Sequence, residues 1–393
     1  MLHSYAFSNF QSFRERVEVD LSINRKTALT DWMAESPTGE RLSKLMAVIG
    51  PNGSGKTALL KPAVFMSWFI GQSFQLSPDA GIPINPHFAA EGEPTEFEAV
   101  VDFDDKLWRY VLRCTPERVL HEALYLKRER FGYVFVRDWD AESKSYVVKQ
   151  QDFGLPAQEA RRVRPNVSLI SWAAQFGVAL ATRMAAAYVI TNVNLFGRVP
   201  MGEQVLQRAA RHFSNHHEQR GRMSQLLSGW DLGLSGVALQ EISVSNPQDT
   251  EQKVWMPFGK HQSRGKEFLI PFFMESSGTQ GAFVLLSLLL EALESGGLAV
   301  IDEFENDLHP HMLEPILDLF ANPATNPHRA QLLFTCHAME VLNLVHKSQV
   351  MLVQKTVECE STASRMDAVE GIRNDDNFYA KYMAGAYGAV PVF

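Results

Sequence analysis

Apolar positions near the start of the chain suggest two strands, the first carrying Leu2, Tyr5 and Phe7 and the second alternating through Val17, Val19 and Leu21. A polar stretch over 23–44, with a turn at 37–39, then delivers the chain to an unbroken apolar run, Leu45–Ile49, which predicts a buried strand. A helix to about Gln75 follows. Beyond a turn-rich stretch with Pro78, Gly81, Pro83 and Pro86, the β-branched and aromatic segments 95–103, 108–113 and 134–139 predict an antiparallel sheet. From about 157 to 222 the pattern is helical, and at Asp231 strand alternation returns through Val237, Leu239, Ile242 and Val244. An apolar helix over 281–293, an apolar strand ending at Asp302–Glu303, a helix opened by Pro310 and an apolar strand ending at His337 complete an α/β pattern.

The junction after Leu45–Ile49 carries chemistry. Gly50-x-x-x-x-Gly55-Lys56-Thr57 between a strand and a helix is a P-loop in its expected setting. Gly50, Gly53 and Gly55 let the backbone of Asn52, Ser54 and their neighbours turn its N–H groups inward, and the helix start adds free donors and a positive dipole end. This nest suits a triphosphate, so ATP is the expected ligand. Lys56 would reach the β- and γ-phosphates and the Thr57 hydroxyl would ligate Mg²⁺.

Composition narrows the remaining classes. The 393 residues allow two ordinary domains, or one P-loop domain with a large insertion. With Lys plus Arg at 37 against 45 for Asp plus Glu, the net charge of −8 excludes a polycation built to coat nucleic acid. The helical segment reverses this sign: Arg161, Arg162, Arg164, Arg183, Arg198, Arg208, Arg211, Arg220 and Arg222 face only Glu159, Glu203 and Glu218. Such a surplus fits either a nucleic-acid or acidic-partner surface or a solvated helical face. Three scattered cysteines, Cys114, Cys336 and Cys359, indicate neither a disulfide framework nor a zinc site. They fit a reducing cytoplasm, and the apolar runs are too short or too interrupted for membrane spans.

The distal half adds partners for the P-loop. Asp302, at the end of its apolar strand, takes the place of the carboxylate that holds Mg²⁺, and Glu303 could orient and deprotonate the attacking water. Glu275-Ser-Ser-Gly-Thr-Gln280 opens a helix and makes a second anion site with Ser277 and Gly278. One chain does not need two triphosphate cradles, so this site is expected to cover the γ-phosphate held by a second copy. His337, at a strand tip, could hydrogen-bond that phosphate. A metal set from His309, His311 and Glu305 is disfavoured, and His212, His216 and His217 read as surface residues.

In this order, P-loop, Ser-Gly-x-Gln signature, Asp-Glu strand, D-loop (Asn306 to His309) and switch histidine, the chain resembles the ABC-type ATPase heads of SMC, RecF and OLD proteins. Asn9-Phe10-Gln11-Ser12-Phe13 resembles their opening motif. More closely, Glu275–Gln280, Ile301–Pro310 and Tyr382–Pro391 resemble ATP-binding proteins of bacterial abortive-infection systems, of the AbiL and PARIS type. The resemblance implies an ABC-type P-loop ATPase head with an antiparallel β lobe and a helical insertion. Its expected divisions are an N-terminal ATPase lobe (1–155), an Arg-rich helical insertion (156–228) and a C-terminal ATPase lobe (229–393).

The resemblance also implies a head-to-tail ATP-sandwich dimer or higher oligomer. Gly50 to Thr57, Asp302, Glu303 and His337 come from one copy, and Ser277, Gly278 and Gln280 from the other. A cytoplasmic switch that controls a separately encoded toxic effector, such as a TOPRIM-type nuclease, is the leading expectation. A RecF- or SMC-like DNA ATPase holding duplex DNA through Arg161, Arg162 and Arg164 is the alternative. Lys347-Ser348 stands where the family tends to carry Arg-Asp, and Gln72 and Gln75 are the candidates for the Q-loop glutamine.

Overall fold

The computed structural model describes residues 1–245, 251–305, 308–373 and 376–390. Leu45–Ile49 is a central strand, buried at all five positions. It belongs to a six-stranded sheet ordered Ile190–Thr191, Leu298–Ile301, Gln331–Thr335, Leu45–Ile49, Val350–Lys355 and Ser361–Arg365. Its pairings are parallel except the last. A parallel sheet needs cover on both faces, and alternation along each strand divides its side chains between two cores. Met46, Val48, Val300 and Leu333 enter one core; Leu45, Ala47, Ile49, Ile301 and Phe334 enter the other.

A seven-stranded antiparallel sheet closes the first core, in the order Ser145–Gln150, Phe131–Asp140, Val119–Lys127, Lys106–Cys114, Thr95–Phe103, Leu2–Ser8 and Val17–Asp20. The N-terminal hairpin and the β lobe are therefore one sheet, with Phe7 opposite both Phe97 and Val17. Between the two sheets lies the P-loop helix, Lys56–Gln72, followed by a 3₁₀ turn over Ser73–Gln75. Tyr5 Oη donates to Leu59 O at 2.8 Å, and the Phe65 ring sits 4.8 Å from that of Phe97. Helices Leu169–Gln175 and Ala179–Ala186 extend this core through Leu169, Ile170, Ala173 and Ala181.

A fully buried ion pair ties the lobe to them. The Glu122 carboxylate accepts from Tyr110 Oη, Ser168 Oγ and Leu169 N, at 3.0, 2.7 and 2.9 Å. Its partner Arg137, 3.5 Å away, donates to Val167 O at 2.7 Å and to Arg164 O at 2.8 Å. Burying charges is costly unless they are paired and hydrogen-bonded; here Glu122 is met mainly by hydroxyls and Arg137 by main-chain carbonyls, while Arg137 Nε is left without a hydrogen-bond partner.

The second core gathers the helices Glu203–Asn215, His217–Gly229, Ser277–Ser295 and Leu313–Ala321. Leu206, Ala209, Ala210 and Phe213 are buried at the i, i+3, i+4 and i+7 spacing of one helix face. The strand expected over 237–244 is Gly236–Ser245, the first of a three-stranded antiparallel sheet with Glu251–Ser263 and Lys266–Pro271. The helices between 157 and 229 are thus shared between the two cores. Among the described residues, no helix is long and apolar enough to cross a membrane.

Candidate functional site

The carboxyl ends of the parallel strands place the acids and the P-loop side by side. Gly50 lies so close to the neighbouring strand that an added Cβ would meet Val353 O at 2.1 Å. Gly55 has φ +110°, and a Cβ there would meet Ser361 Oγ at 2.5 Å and Ser12 Oγ at 3.0 Å. The loop thus adopts a path closed to larger residues. Asn52 and Gly53 form its exposed crest. Ser361 donates to Ser54 O at 2.6 Å, lies 2.7 Å from Ser12 Oγ, and donates its main-chain N–H to Ser12 O. The Asn9–Phe13 segment therefore buttresses the P-loop from outside. Asn9 itself donates to Ala90 O and Glu93 O and accepts from His87 N.

Several groups in the cradle fit an anionic ligand. The Ser54 hydroxyl is buried without a hydrogen-bond partner. Lys56 is buried and donates to Gly50 O at 2.9 Å and Pro51 O at 3.0 Å, carbonyls that a phosphate oxygen would displace. Burial holds the Lys56 ammonium below the usual lysine range, against the opposing pull of Asp302, Glu305 and Glu303. Phosphate charge would replace the lost hydration.

Thr57 and Asp302, 245 residues apart in sequence, meet here: Thr57 Oγ1 donates to Asp302 Oδ2 at 2.8 Å. The other Asp302 oxygen accepts from the buried Thr335 hydroxyl at 2.7 Å, and that hydroxyl accepts Glu303 N–H at 2.7 Å. One threonine therefore sets both acids. Asn192 holds the Asp302 main chain reciprocally, accepting from its N–H at 2.8 Å and donating to its carbonyl at 2.9 Å. Glu303 has φ +49°, and its carboxylate pairs with Arg198 at 2.8 Å. His337 is exposed at the strand tip, and its main-chain N–H donates to Glu305. Asn306 and Asp307 of the expected D-loop, and Pro391 of the C-terminal motif, lie outside the described residues.

The signature stands on a different element. Ser277 is exposed at the first turn of Ser277–Ser295, where Ser276 caps the helix by accepting from Thr279 N. Gln280 donates to Glu275 O at 2.9 Å, and Glu275 receives His261 Nε2 at 2.7 Å, so these groups bond within their own lobe. Ahead of the helix, Phe273 and Met274 are 57% and 68% exposed.

Other expectations change. Gln72 ends the P-loop helix and Gln75 lies in the 3₁₀ turn beyond it, about 24 Å or more along the chain from Lys56 at ~1.5 Å per residue. The amide that reaches the acids is that of Asn192, which follows the strand beside Asp302; no sequence motif flags it. His212 is not a surface residue: it is half-buried, beside Gln219, at the edge of a cavity of about 170 Å³ that Glu303 and Arg198 also line. In the basic segment Arg161 and Arg162 are exposed, whereas Arg164 donates to Leu76 O and Phe74 O. Arg183 pairs with Asp104 and Arg222 reaches Thr325 O. Lys347 donates to Ile372 O. Among the described residues, no group of three or more His, Cys, Asp or Glu could hold a metal ion by itself.

The family model described as "AAA domain, putative AbiEii toxin, Type IV TA system" matches residues 45–343, from the P-loop strand to beyond His337. The chain belongs to this AAA family. The matched span begins after the strands Leu2–Ser8 and Val17–Asp20, which lie in the same sheet as the β lobe. No curated protein matches. Among solved structures, an SMC head domain from Thermotoga maritima aligns at 14% identity and a TM-score of 0.41, over 93% of this chain and 98% of its own. An SMC head bound to the C-terminal winged-helix domain of ScpA aligns at 11% and 0.41, over 92% and 96%. The fold is a mixed α/β P-loop fold, with the P-loop and both acids at one edge of the parallel sheet.

Proposed function

We propose that the protein is a switch ATPase that binds ATP with Mg²⁺, hydrolyses it, and uses the nucleotide to set its association with a second copy. The observation that carries this reading is the Thr57–Asp302 contact at the mouth of the P-loop, with Lys56 and Glu303 beside it. Gly50, Asn52, Gly53, Ser54, Gly55 and Lys56 would hold the phosphates. Thr57 and Asp302 would hold Mg²⁺, which when bound neutralises charge on the β- and γ-phosphates. Glu303 takes a proton from water as the water oxygen bonds to the γ-phosphorus and the bond to the ADP oxygen breaks. His337, exposed at the neighbouring strand tip, would hydrogen-bond the γ-phosphate.

The exposed Ser277 and half-buried Gly278, with Gln280 behind them, would close the site from the second copy. Phe273 and Met274, exposed beside them, supply apolar area for that contact. A ligand held between two copies favours the closed pair only by its extra affinity for it, and hydrolysis removes that difference. Moving the pair from about 1% to 99% closed requires roughly 10⁴-fold tighter binding in the closed state, which contacts to the γ-phosphate from both copies could supply. The family match, to a domain described as a putative AbiEii toxin, supports a place in abortive-infection defence, and the Glu275–Gln280 and Ile301–Pro310 motifs resemble those of the AbiL and PARIS type. The switch would there restrain or release a separately encoded toxic effector.

The test is Glu303→Gln with ATP and Mg²⁺ on size exclusion with light scattering. A stable nucleotide-dependent dimer or higher oligomer is expected. A profile identical with and without ATP rejects the sandwich.

A further inference from the structure

We propose that Arg198 is a positioning residue for hydrolysis, holding the Glu303 carboxylate in its working orientation from a hairpin that no motif marks. The inference rests on Glu303 as the base. The segment 192–199 folds back on itself: Val199 N–H donates to Asn192 O at 2.7 Å, Asn194 N–H to Gly197 O at 2.8 Å, and Val193 bridges Arg198. Gly197, at φ +136°, makes the turn. The hairpin tip is not held by packing, since Leu195 is 45% and Phe196 95% exposed.

Polar anchors hold it instead, and they lead to the catalytic strand. Asn192 grips both main-chain groups of Asp302, Lys61 of the P-loop helix donates to Leu195 O at 3.1 Å, and Arg198 pairs with Glu303 at 2.8 Å. The hairpin is thus registered on the two acids and on the helix that starts at Lys56.

The Glu303 main chain is already fixed by its left-handed φ and by Thr335, so only its side-chain torsions remain free. Arg198 removes that freedom. Beside the pair lies the cavity of about 170 Å³, with Arg208, His212 and Glu291 also on its wall. Without Arg198, the carboxylate is free to turn within this cavity, whose wall also carries Arg208. The pair is partly exposed, at 26% and 42% of the two side chains, so its contribution to stability is small and its loss leaves the fold intact.

The experiment is single-turnover ATP hydrolysis, with nucleotide affinity from a fluorescent ATP analogue and thermal melts in parallel. The proteins are wild type, Arg198→Ala, Arg198→Lys, Glu303→Gln and the double variant Arg198→Ala/Glu303→Gln. Arg198→Ala is expected to slow hydrolysis about ten- to a hundredfold, the range for a displaced catalytic group, with affinity within about twofold. Arg198→Lys recovers most of the loss, and the double variant is no slower than Glu303→Gln. Wild-type hydrolysis in Arg198→Ala, a loss traced to weaker nucleotide binding, or a full additional loss in the double variant each overturns the proposal. Wild-type hydrolysis in Glu303→Gln overturns the assignment of the base instead.

Discussion

Replacing Thr335 with valine removes one hydroxyl and keeps the shape, in a position with no solvent exposure. The hydroxyl donates to Asp302 Oδ1 and accepts from Glu303 N–H, both at 2.7 Å. A hydrogen bond to a charged group contributes about 1.5–3 kcal/mol, and a buried N–H left unpaired costs about 1–3 kcal/mol. These terms overlap, because Asp302 keeps Thr57 and Glu303 N–H can gain partial access to water, so the expected loss is roughly 2–4 kcal/mol. Thr335→Ser keeps the hydroxyl and loses one methyl, about 1 kcal/mol.

Urea unfolding followed by circular dichroism separates the two. The valine variant unfolds at clearly lower urea with an unchanged slope, and the serine variant lies near wild type. Turnover should follow the same order, because Asp302 and Glu303 both lose a restraint in Thr335→Val. If valine and serine are equally stable, within about 0.5 kcal/mol, the threonine is a packing residue and the shared restraint on the acids is wrong.

Gly50→Ala is expected to yield little folded protein, since its Cβ would meet Val353 O at 2.1 Å, whereas Gly53→Ala, with open space but φ +74°, loses only about 1–2 kcal/mol; soluble yield and melting temperature distinguish them. Glu122→Ala leaves the buried Arg137 unpaired and should cost about 3–5 kcal/mol, seen in urea unfolding, with the double replacement Glu122→Leu/Arg137→Met less damaging than the single one. The Asp102 carboxyl is penalised by burial, but hydrogen bonds from His3 and Thr38 outweigh this and hold it below the usual carboxylate range. Its stabilisation is therefore full above the unfolded value near pH 4 and is lost as pH falls through the lower folded value. Asp102→Asn should flatten that acid limb in pH-dependent melts.

The P-loop and the acids were legible in the sequence because their local demands are strict. Only glycine fits against Val353 or at φ +110°, and an apolar strand must precede an acid that reaches the same edge as Thr57. The strands 95–103 and 45–49 showed for the same reason, their patterns matching the cover on their faces. Val119–Lys127 was hidden because it carries Glu122 inward, toward Arg137, where alternation predicts an apolar residue. The hairpin 192–199 was hidden because its work is done by an amide and a guanidinium on a loop, with no periodicity to betray them. Arg198 counted only as one more charge in a basic segment until Glu303 was placed beside it.

The central claim, that each ATP site is completed by another copy, is tested most directly by mixing two inactive variants. Lys56→Ala disables the P-loop and Ser277→Arg the signature, so a mixed pair contains one site built from two intact halves. Equal mixing after subunit exchange is predicted to restore about a quarter of wild-type turnover, since half the pairs are mixed and each has one working site. A mixture as inactive as its components, with both variants folded and exchanging subunits, would contradict the shared site.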